Sequence, residues 1–174
     1  MQEHRLIERL SGIMEKELLR IRRGEEPDLR RIDGSIEVNS TYGDLLHYGK
    51  EEEILFKRLS EKPLTAEHRA LLNELIAEHE LSRNLAGNLI GARKKFAAGD
   101  RNAAKDIAAA LEKLVQLHRS HIEKEDKHFF FPSLEYFNRE ERDIMLREGV
   151  EFDHRVVHEK YQRLVEELEK AAEE

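Results

Sequence analysis

The spacing of apolar residues along the chain predicts long amphipathic helices. Apolar positions recur at intervals of three or four, which places them on one helix face and leaves charged residues on the other. Helix-ending and capping residues divide this pattern near Gly24–Pro27, Pro63, Gly99 and Asn138. The predicted helices cover about residues 2–23, 28–60, 65–98, 101–128 and 138–170. The sequence lacks the β-branched runs and hairpin turn dipeptides that mark strands.

These segments predict an all-α fold of four long helices followed by a fifth. A length of 174 residues suits one domain over residues 1–174 and is sufficient to bury a core. Pro132 follows three phenylalanines, and we expect it to kink or end the fourth helix because proline lacks a backbone N–H.

Composition limits the classes of function that the chain can have. Charged residues make up 39% of the sequence and aromatic residues 6%, a balance typical of long helices with solvated outer faces. The net charge is −7 and basic residues are interleaved with acids, so we expect no nucleic-acid partner. The sequence contains no cysteine, which excludes disulfides, thiolate zinc sites and iron–sulfur clusters. Any metal must therefore be bound by imidazole and carboxylate groups.

The sequence also lacks features of membrane and secreted proteins. No stretch approaches the ~20 consecutive apolar residues that a membrane-spanning helix needs. The first residues lack the apolar core of a secretory signal peptide. We therefore expect a cytoplasmic protein with no membrane partner.

One polar pattern occurs twice in the chain. Residues 47–52 and 121–126 both follow the pattern H-x-x-K-E-acid, and each copy is preceded by a Glu-His pair, Glu3-His4 or Glu78-His79. The two histidines of the first half are 43 residues apart and those of the second half are 42 apart. Residues four apart share a helix face, so each histidine and its following glutamate can point at one spot. The six candidate metal ligands are His4, His47, Glu51, His79, His121 and Glu125.

The candidate ligands lie on the predicted core faces of their helices. In the fourth helix the apolar positions Leu111 and Leu114 lead directly to His118, His121 and Glu125. Buried ionised carboxylates are costly unless they are paired or bound to metal. A single inward histidine is more often a core residue than a ligand, but recurrence at matched spacing in both halves favours a metal site. Dinuclear sites occur in bundle cores, and nitrogen and oxygen ligands without sulfur suit iron, manganese or zinc.

At these residues the chain resembles the hemerythrin-like HHE cation-binding family. The resemblance covers nearly the whole length and depends on Glu3–Ile7, residues 47–52, Glu78-His79 and residues 121–126 with Phe131-Pro132. It implies an up-and-down four-helix bundle over about residues 2–131, with an additional C-terminal helix over about residues 138–170. It also implies a non-haem centre of two carboxylate-bridged iron ions.

The resemblance assigns a role to each candidate ligand. His4 and His47 would hold one iron, and His79 and His121 would hold the other. Glu51 and Glu125 would bridge them, with Asp126 as the alternative second bridge.

The chain departs from the family pattern at two positions. Tyr48 occupies the position of the second histidine in the motif that names the family, and Arg83 occupies that of a fifth histidine in oxygen-carrying hemerythrins. His158 in the last helix is our preferred replacement ligand, and His118 is the alternative. We expect His68 and His154 to be partly exposed or structural, and His128 lies past the turn that carries the ligands.

The resemblance implies that the protein binds dioxygen or a related small molecule, nitric oxide or peroxide, for sensing, scavenging or carriage. We expect a binding protein, with weak oxidase or peroxidase activity and the oligomeric state left open. The alternative is a ferritin-like di-iron oxidase or iron-storage protein, because E-x-x-H pairs occur at Glu125–His128 and Glu151–His154. A metal-free structural bundle is the third hypothesis.

Overall fold

The computed structural model describes the backbone of residues 2–173 and the side chains of residues 2–166, and helices account for nearly all of it. The α-helices are α1 (Gln2–Arg22), α2 (Leu29–Val38), α3 (Lys57–Ser60), α4 (Ala66–Ala97), α5 (Ala103–Lys124), α6 (Phe130–Leu134) and α7 (Arg139–Glu173). Three π-helical segments, Asn39–Tyr48, Glu51–Phe56 and Glu125–Phe129, complete continuous helices over residues 29–60 and 103–134. No strand occurs within residues 2–173. The predicted all-α bundle is confirmed.

Local capping residues explain where the helices begin. The side chains of Asp28 and Thr65 accept hydrogen bonds from the backbone N–H groups of Arg31 and His68. The fourth helix differs from the prediction because it continues past Pro132 to the end of α6. Pro132 cannot donate to the preceding turn, and the regular α-helical hydrogen bonding is already interrupted there by the π-helical segment Glu125–Phe129.

Two apolar clusters fill the core on either side of a buried polar layer. In α4, Leu72 and Leu75 belong to one cluster, Leu85 and Leu89 belong to the other, and His79 lies between them in the chain. In the helices of residues 29–60 and 103–134 the order along the chain is reversed, because Ile32 and Leu114 belong to the second cluster and Phe56 and Phe129 belong to the first. The bundle therefore carries its buried histidines and carboxylates between two regions of ordinary hydrophobic packing.

Helix α7 packs against the helix of residues 29–60. Gly49 permits the close approach, because a Cβ atom at this position would lie 2.9 Å from Cζ of Phe152. Lys50 donates to Asp153 at 2.7 Å, and Arg58 donates to Glu148 at 2.6 Å. Among the described helices, none combines the length and the apolar character that crossing a bilayer requires.

Candidate metal centre

The backbone departs from α-helical geometry at the two repeated glutamates. Glu51 is the first residue of the π-helical segment Glu51–Phe56, and Glu125 is the first residue of Glu125–Phe129. His47 lies within the π-helical segment Asn39–Tyr48. π-Helical turns are rare and occur frequently at functional sites. The sequence pattern predicts regular α-helix here and gives no sign of these segments.

The six predicted ligands converge in two buried groups. His4 and His47 form one group with Glu51 and Glu125, and the ligand atoms of this group all lie within 4.8 Å of one another. His79 and His121 form a second group with the same two glutamates, within the same limit. The two carboxylates are therefore shared between both histidine pairs.

Each carboxylate directs one oxygen at each histidine pair. In Glu51, Oε1 lies 3.7 Å from Nε2 of His47 and Oε2 lies 3.4 Å from Nε2 of His79. In Glu125, Oε2 lies 3.2 Å from Nε2 of His4 and Oε1 lies 3.3 Å from Nε2 of His121. This is the arrangement that two carboxylates bridging a pair of metal ions require.

An outer layer of acids fixes the four imidazole rings. The Nδ1–H of His4 donates to Asp126 at 2.9 Å, and that of His79 donates to Glu52 at 2.8 Å. Each of these rings then directs its Nε2 at the centre. The other two bonds run from His47 to Glu3 at 3.0 Å and from His121 to Glu78 at 2.9 Å. Such carboxylate–histidine pairs fix the tautomer and orientation of metal-binding imidazoles.

The outer layer repeats in both halves of the chain. Lys50 donates to Glu3 at 2.6 Å, and the equivalent Lys124 donates to Glu78. This contact explains why lysine belongs to the repeated H-x-x-K-E-acid pattern. The outer layer was not predicted from the sequence, although the acids that repeat alongside the histidines are a usable signal for it.

Asp126, which was the alternative second bridge, contacts the outer nitrogen of His4 and belongs to neither group. Glu52, its equivalent in the first half of the chain, contacts the outer nitrogen of His79 in the same way. The second acid of each repeat therefore supports a histidine that belongs to the other half. Glu125 is the acid that lies between the histidine pairs.

Burial and charge set the protonation of the centre. Burial raises the pKa of Glu51 well above its usual value, and the adjacent charge of Glu125 adds to the effect. Burial also raises the pKa of Glu125, but the neighbouring imidazoles of His121 and His4 outweigh it, so this pKa is lowered. Burial lowers the pKa of His121, but contacts with Glu125 and Glu78 outweigh it and raise the pKa to about 9. Two adjacent buried carboxylates ionise together only with a compensating positive charge.

The polar atoms at the centre fit a pair of cations. Among the described residues, six buried side-chain atoms have no hydrogen-bond partner: Nε2 of His4, Nε2 of His47 and both oxygens of Glu51 and of Glu125. Leaving such groups buried without a partner is costly. On the opposite side, the Nε2 atoms of His79 and His121 lie 3.1 Å apart, which is close enough for one ion to bind both. Metal coordination would satisfy every one of these atoms.

The two departures from the family pattern have structural roles. Arg83 donates to Glu52 at 2.9 Å and to Asp44 at 2.7 Å, so it holds the acid that orients His79. Tyr48 stacks on the ring of His79 with centroids 3.7 Å apart and an interplanar angle of 14°. Burial raises the pKa of Tyr48, although its bond with Ser82 opposes the shift, so the phenol stays neutral.

The two proposed replacement ligands lie outside both groups. His158 is exposed on α7. His118 is buried one helical turn before His121, but its Nδ1 is 3.0 Å from Oγ of Ser11. Burial, together with the neighbouring imidazoles of His121 and His47, lowers the pKa of His118 to about 4.

The E-x-x-H pairs behind the ferritin-like alternative do not converge. His128, Glu151 and His154 are all exposed, and none of them belongs to either buried group. His68 is also remote from the centre, because it lies about 16 Å along α4 from His79, and its Nδ1 is 2.7 Å from the hydroxyl of Tyr136.

The two groups differ in their surroundings. Tyr48 and Phe56 both stack on His79, with centroids 3.7 Å and 5.4 Å away, and cover that side of the centre. On the other side, a cavity of about 710 Å³ is lined in part by His47 and Glu51. The two histidine pairs therefore have similar ligands but different access, because only the His47 side opens onto a cavity through which a small molecule could approach.

A family model described as "Hemerythrin HHE cation binding domain" matches residues 1–130. The matched range includes both Glu-His pairs and both H-x-x-K-E-acid repeats, whereas α7 lies beyond it. No curated protein and no solved structure matches the chain.

Proposed function

This chain belongs to the hemerythrin HHE cation-binding domain family, and we propose that its buried centre binds two iron ions and, through them, dioxygen, nitric oxide or peroxide. One observation carries the proposal: Glu51 and Glu125 each direct one oxygen at each of two buried histidine pairs. The biological role that follows is sensing, scavenging or carriage of the small molecule.

In this proposal two imidazole nitrogens and one oxygen of each shared carboxylate would hold each ion. His4 and His47 would hold one ion, and His79 and His121 would hold the other. A set of nitrogen and oxygen ligands that leaves positions open suits ferrous iron. When bound, iron supplies the electrons and the open coordination position that a small diatomic molecule or peroxide needs.

The surrounding residues orient the centre and cover one side of it. Glu3, Glu52, Glu78 and Asp126 hold the outer nitrogens of the imidazoles, so the rings need little reorganisation on metal binding. Tyr48 and Phe56 cover the His79 side. A small molecule would therefore reach the centre from the side of His47 and Glu51, where the cavity ends.

The position of Arg83 bears on which role is favoured. Its guanidinium is engaged with Glu52 and Asp44, so neither ion gains a fifth histidine from this position. The two ions would then have matching ligand sets, unlike the unequal irons of the oxygen-carrying pattern. This symmetry supports sensing or scavenging at least as well as reversible carriage.

The alternatives are less well supported. A ferritin-like site needs E-x-x-H ligands inside the bundle, and His128 and His154 are exposed. A metal-free structural bundle would bury two carboxylates without hydrogen-bond partners among the described residues. Such burial destabilises a protein unless a ligand compensates for it.

The proposal is tested by reconstituting the protein with ferrous iron without air, counting iron per chain and then adding dioxygen, nitric oxide or peroxide. We expect two irons per chain and a visible absorption change with at least one of the three molecules. A band that reverses on removing the gas indicates carriage, and irreversible bleaching indicates scavenging. Many irons per chain would support storage instead, and no bound iron would support the structural alternative. His68→Ala is the matched control, because His68 is remote from the centre.

A further inference from the structure

The cavity beside the centre is far larger than a diatomic ligand needs. Its volume is about 710 Å³, whereas one water molecule occupies about 30 Å³ of liquid. Dioxygen and nitric oxide are close to water in size. A volume of this order is typical of pockets that bind organic molecules.

The walls of the cavity are mostly apolar. Three structural regions contribute the main apolar side chains: Ile54 and Leu55, then Phe130 and Leu134, then Met145 and Val150. Met145 and Val150 belong to α7, which lies beyond the residues that the family model matches. The cavity is therefore created by packing α7 onto the bundle.

The charged residues around the cavity leave little net charge for a ligand to pair with. Lys50 donates to both Glu3 and Asp153, at 2.6 Å and 2.7 Å. Among the described residues, the other charged side chains in the lining are Arg142, which is exposed, and Glu51 at the inner end. A neutral ligand suits these walls better than an anion or a cation.

The inner end of the cavity is the metal centre itself. His47 and Glu51 line the cavity, and both are almost completely buried. Both oxygens of Glu51 lack a hydrogen-bond partner among the described residues. At the outer end, Leu146 and Val150 line the cavity while remaining 71% and 57% exposed, so an apolar ligand would cover them.

We infer that this cavity binds a neutral apolar organic molecule, of the size of a two-ring aromatic or a medium-chain aliphatic compound. The molecule would contact α7 on one side and approach His47 and Glu51 on the other. Its binding would control access of small molecules to the centre. Helix α7 thus adds an organic ligand site to the family's metal-binding bundle.

The test is a fluorescence titration of the full chain with N-phenyl-1-naphthylamine, a neutral apolar probe that joins a naphthalene to a phenyl ring. It is carried out on metal-free and on iron-loaded protein. If the protein does not load iron, the titration of the metal-free protein still tests the cavity. We expect saturable binding of one probe per chain. Met145→Trp, which narrows the cavity, should weaken binding by about tenfold or more. Val157→Trp is the matched control, because Val157 lies on the same helix, is 46% exposed and does not line the cavity.

A second variant covers the case in which Met145→Trp does not fold. Val150→Asp places a charge at an exposed position of the cavity lining, where folding should tolerate it, and it should also weaken binding by about tenfold. Absence of saturable binding would overturn the inference. So would an equal loss in Val157→Trp, since the probe would then be binding to the exposed face of α7. Sedimentation showing that a dimer excludes the probe would identify a second copy as the occupant and would also overturn it.

Discussion

Glu3 accepts a hydrogen bond from Nδ1 of His47 at 3.0 Å, across 44 residues of sequence. The second half of the chain makes the same bond between Glu78 and His121, at 2.9 Å. Each acid immediately precedes another histidine of the centre, so one Glu-His dipeptide contributes both an outer acid and an inner imidazole. The sequence repeat therefore includes the acids that orient the imidazole rings as well as the candidate ligands themselves.

Removing an outer acid should weaken metal binding. Glu78→Gln replaces the charged acceptor of His121, and we expect metal affinity to fall by about 10- to 100-fold. Glu3→Gln should give a loss of similar size through His47. Glu80→Gln is the control, because Glu80 is exposed and two residues from Glu78. Competition with a chelator measures the affinities, and equal affinity for Glu78→Gln and Glu80→Gln would show that the outer bond has no role.

The shared glutamates and the separate histidines should differ in their effect on metal content. Glu51 belongs to both groups, so Glu51→Gln should lower the count for both ions. His47 belongs to one group, so His47→Ala should leave about one ion per chain, held by the other pair. Metal analysis after reconstitution measures both counts. An equal loss of bound metal in the two variants would contradict the arrangement in which each histidine pair holds its own ion and both pairs share the two carboxylates.

Removing a buried carboxylate should stabilise the metal-free protein. Glu51 is buried and its oxygens have no hydrogen-bond partner among the described residues. We expect Glu51→Met to raise the free energy of unfolding of the metal-free protein by about 1–2 kcal/mol, because it removes this cost while keeping a similar volume. The variant should lose the rise in Tm that metal gives the unmodified protein. Chemical denaturation and thermal melting measure these effects, and destabilisation of the metal-free variant would refute the argument.

Two glycine substitutions should have opposite effects on stability. A Cβ atom added at Gly34 meets nothing within 4 Å, so Gly34→Ala should stabilise its helix by up to about 1 kcal/mol. A Cβ atom at Gly49 would lie 2.9 Å from the ring of Phe152, so Gly49→Ala should destabilise the protein by about 1–2 kcal/mol. Urea denaturation measures both. In a Phe152→Leu background, Gly49→Ala should cost little stability because the ring is absent. If the loss of stability persists there, the packing of Phe152 against Gly49 is not its cause.

The apolar periodicity and capping residues were sufficient to predict the helices and most of their ends. Residues such as Asp28 and Thr65 act locally, so their effect is visible in the sequence. The fourth helix ends later than predicted, because the hydrogen bonding before Pro132 is already irregular and the proline does not end the helix there. That irregularity arises where buried polar residues pack together, and such tertiary effects leave no periodic signal.

The six residues that converge could be predicted from the sequence, because three of them occur in each half of the chain at matching positions of the repeat. The sequence did not identify the partners of Arg83 or the role of Asp126, since both depend on contacts between distant segments. His158 was proposed as a ligand from its position in the last helix, and the structure places it on an exposed surface. The cavity was also beyond prediction, because it depends on how α7 packs against the bundle.

The most direct test of the central claim is anomalous diffraction at the iron absorption edge from crystals of the iron-loaded protein. We predict two peaks about 3.5–4 Å apart, with Glu51 and Glu125 between them. One peak should lie beside Nε2 of His4 and His47, and the other beside Nε2 of His79 and His121. A single peak, no peak, or iron bound only at surface residues would contradict the account.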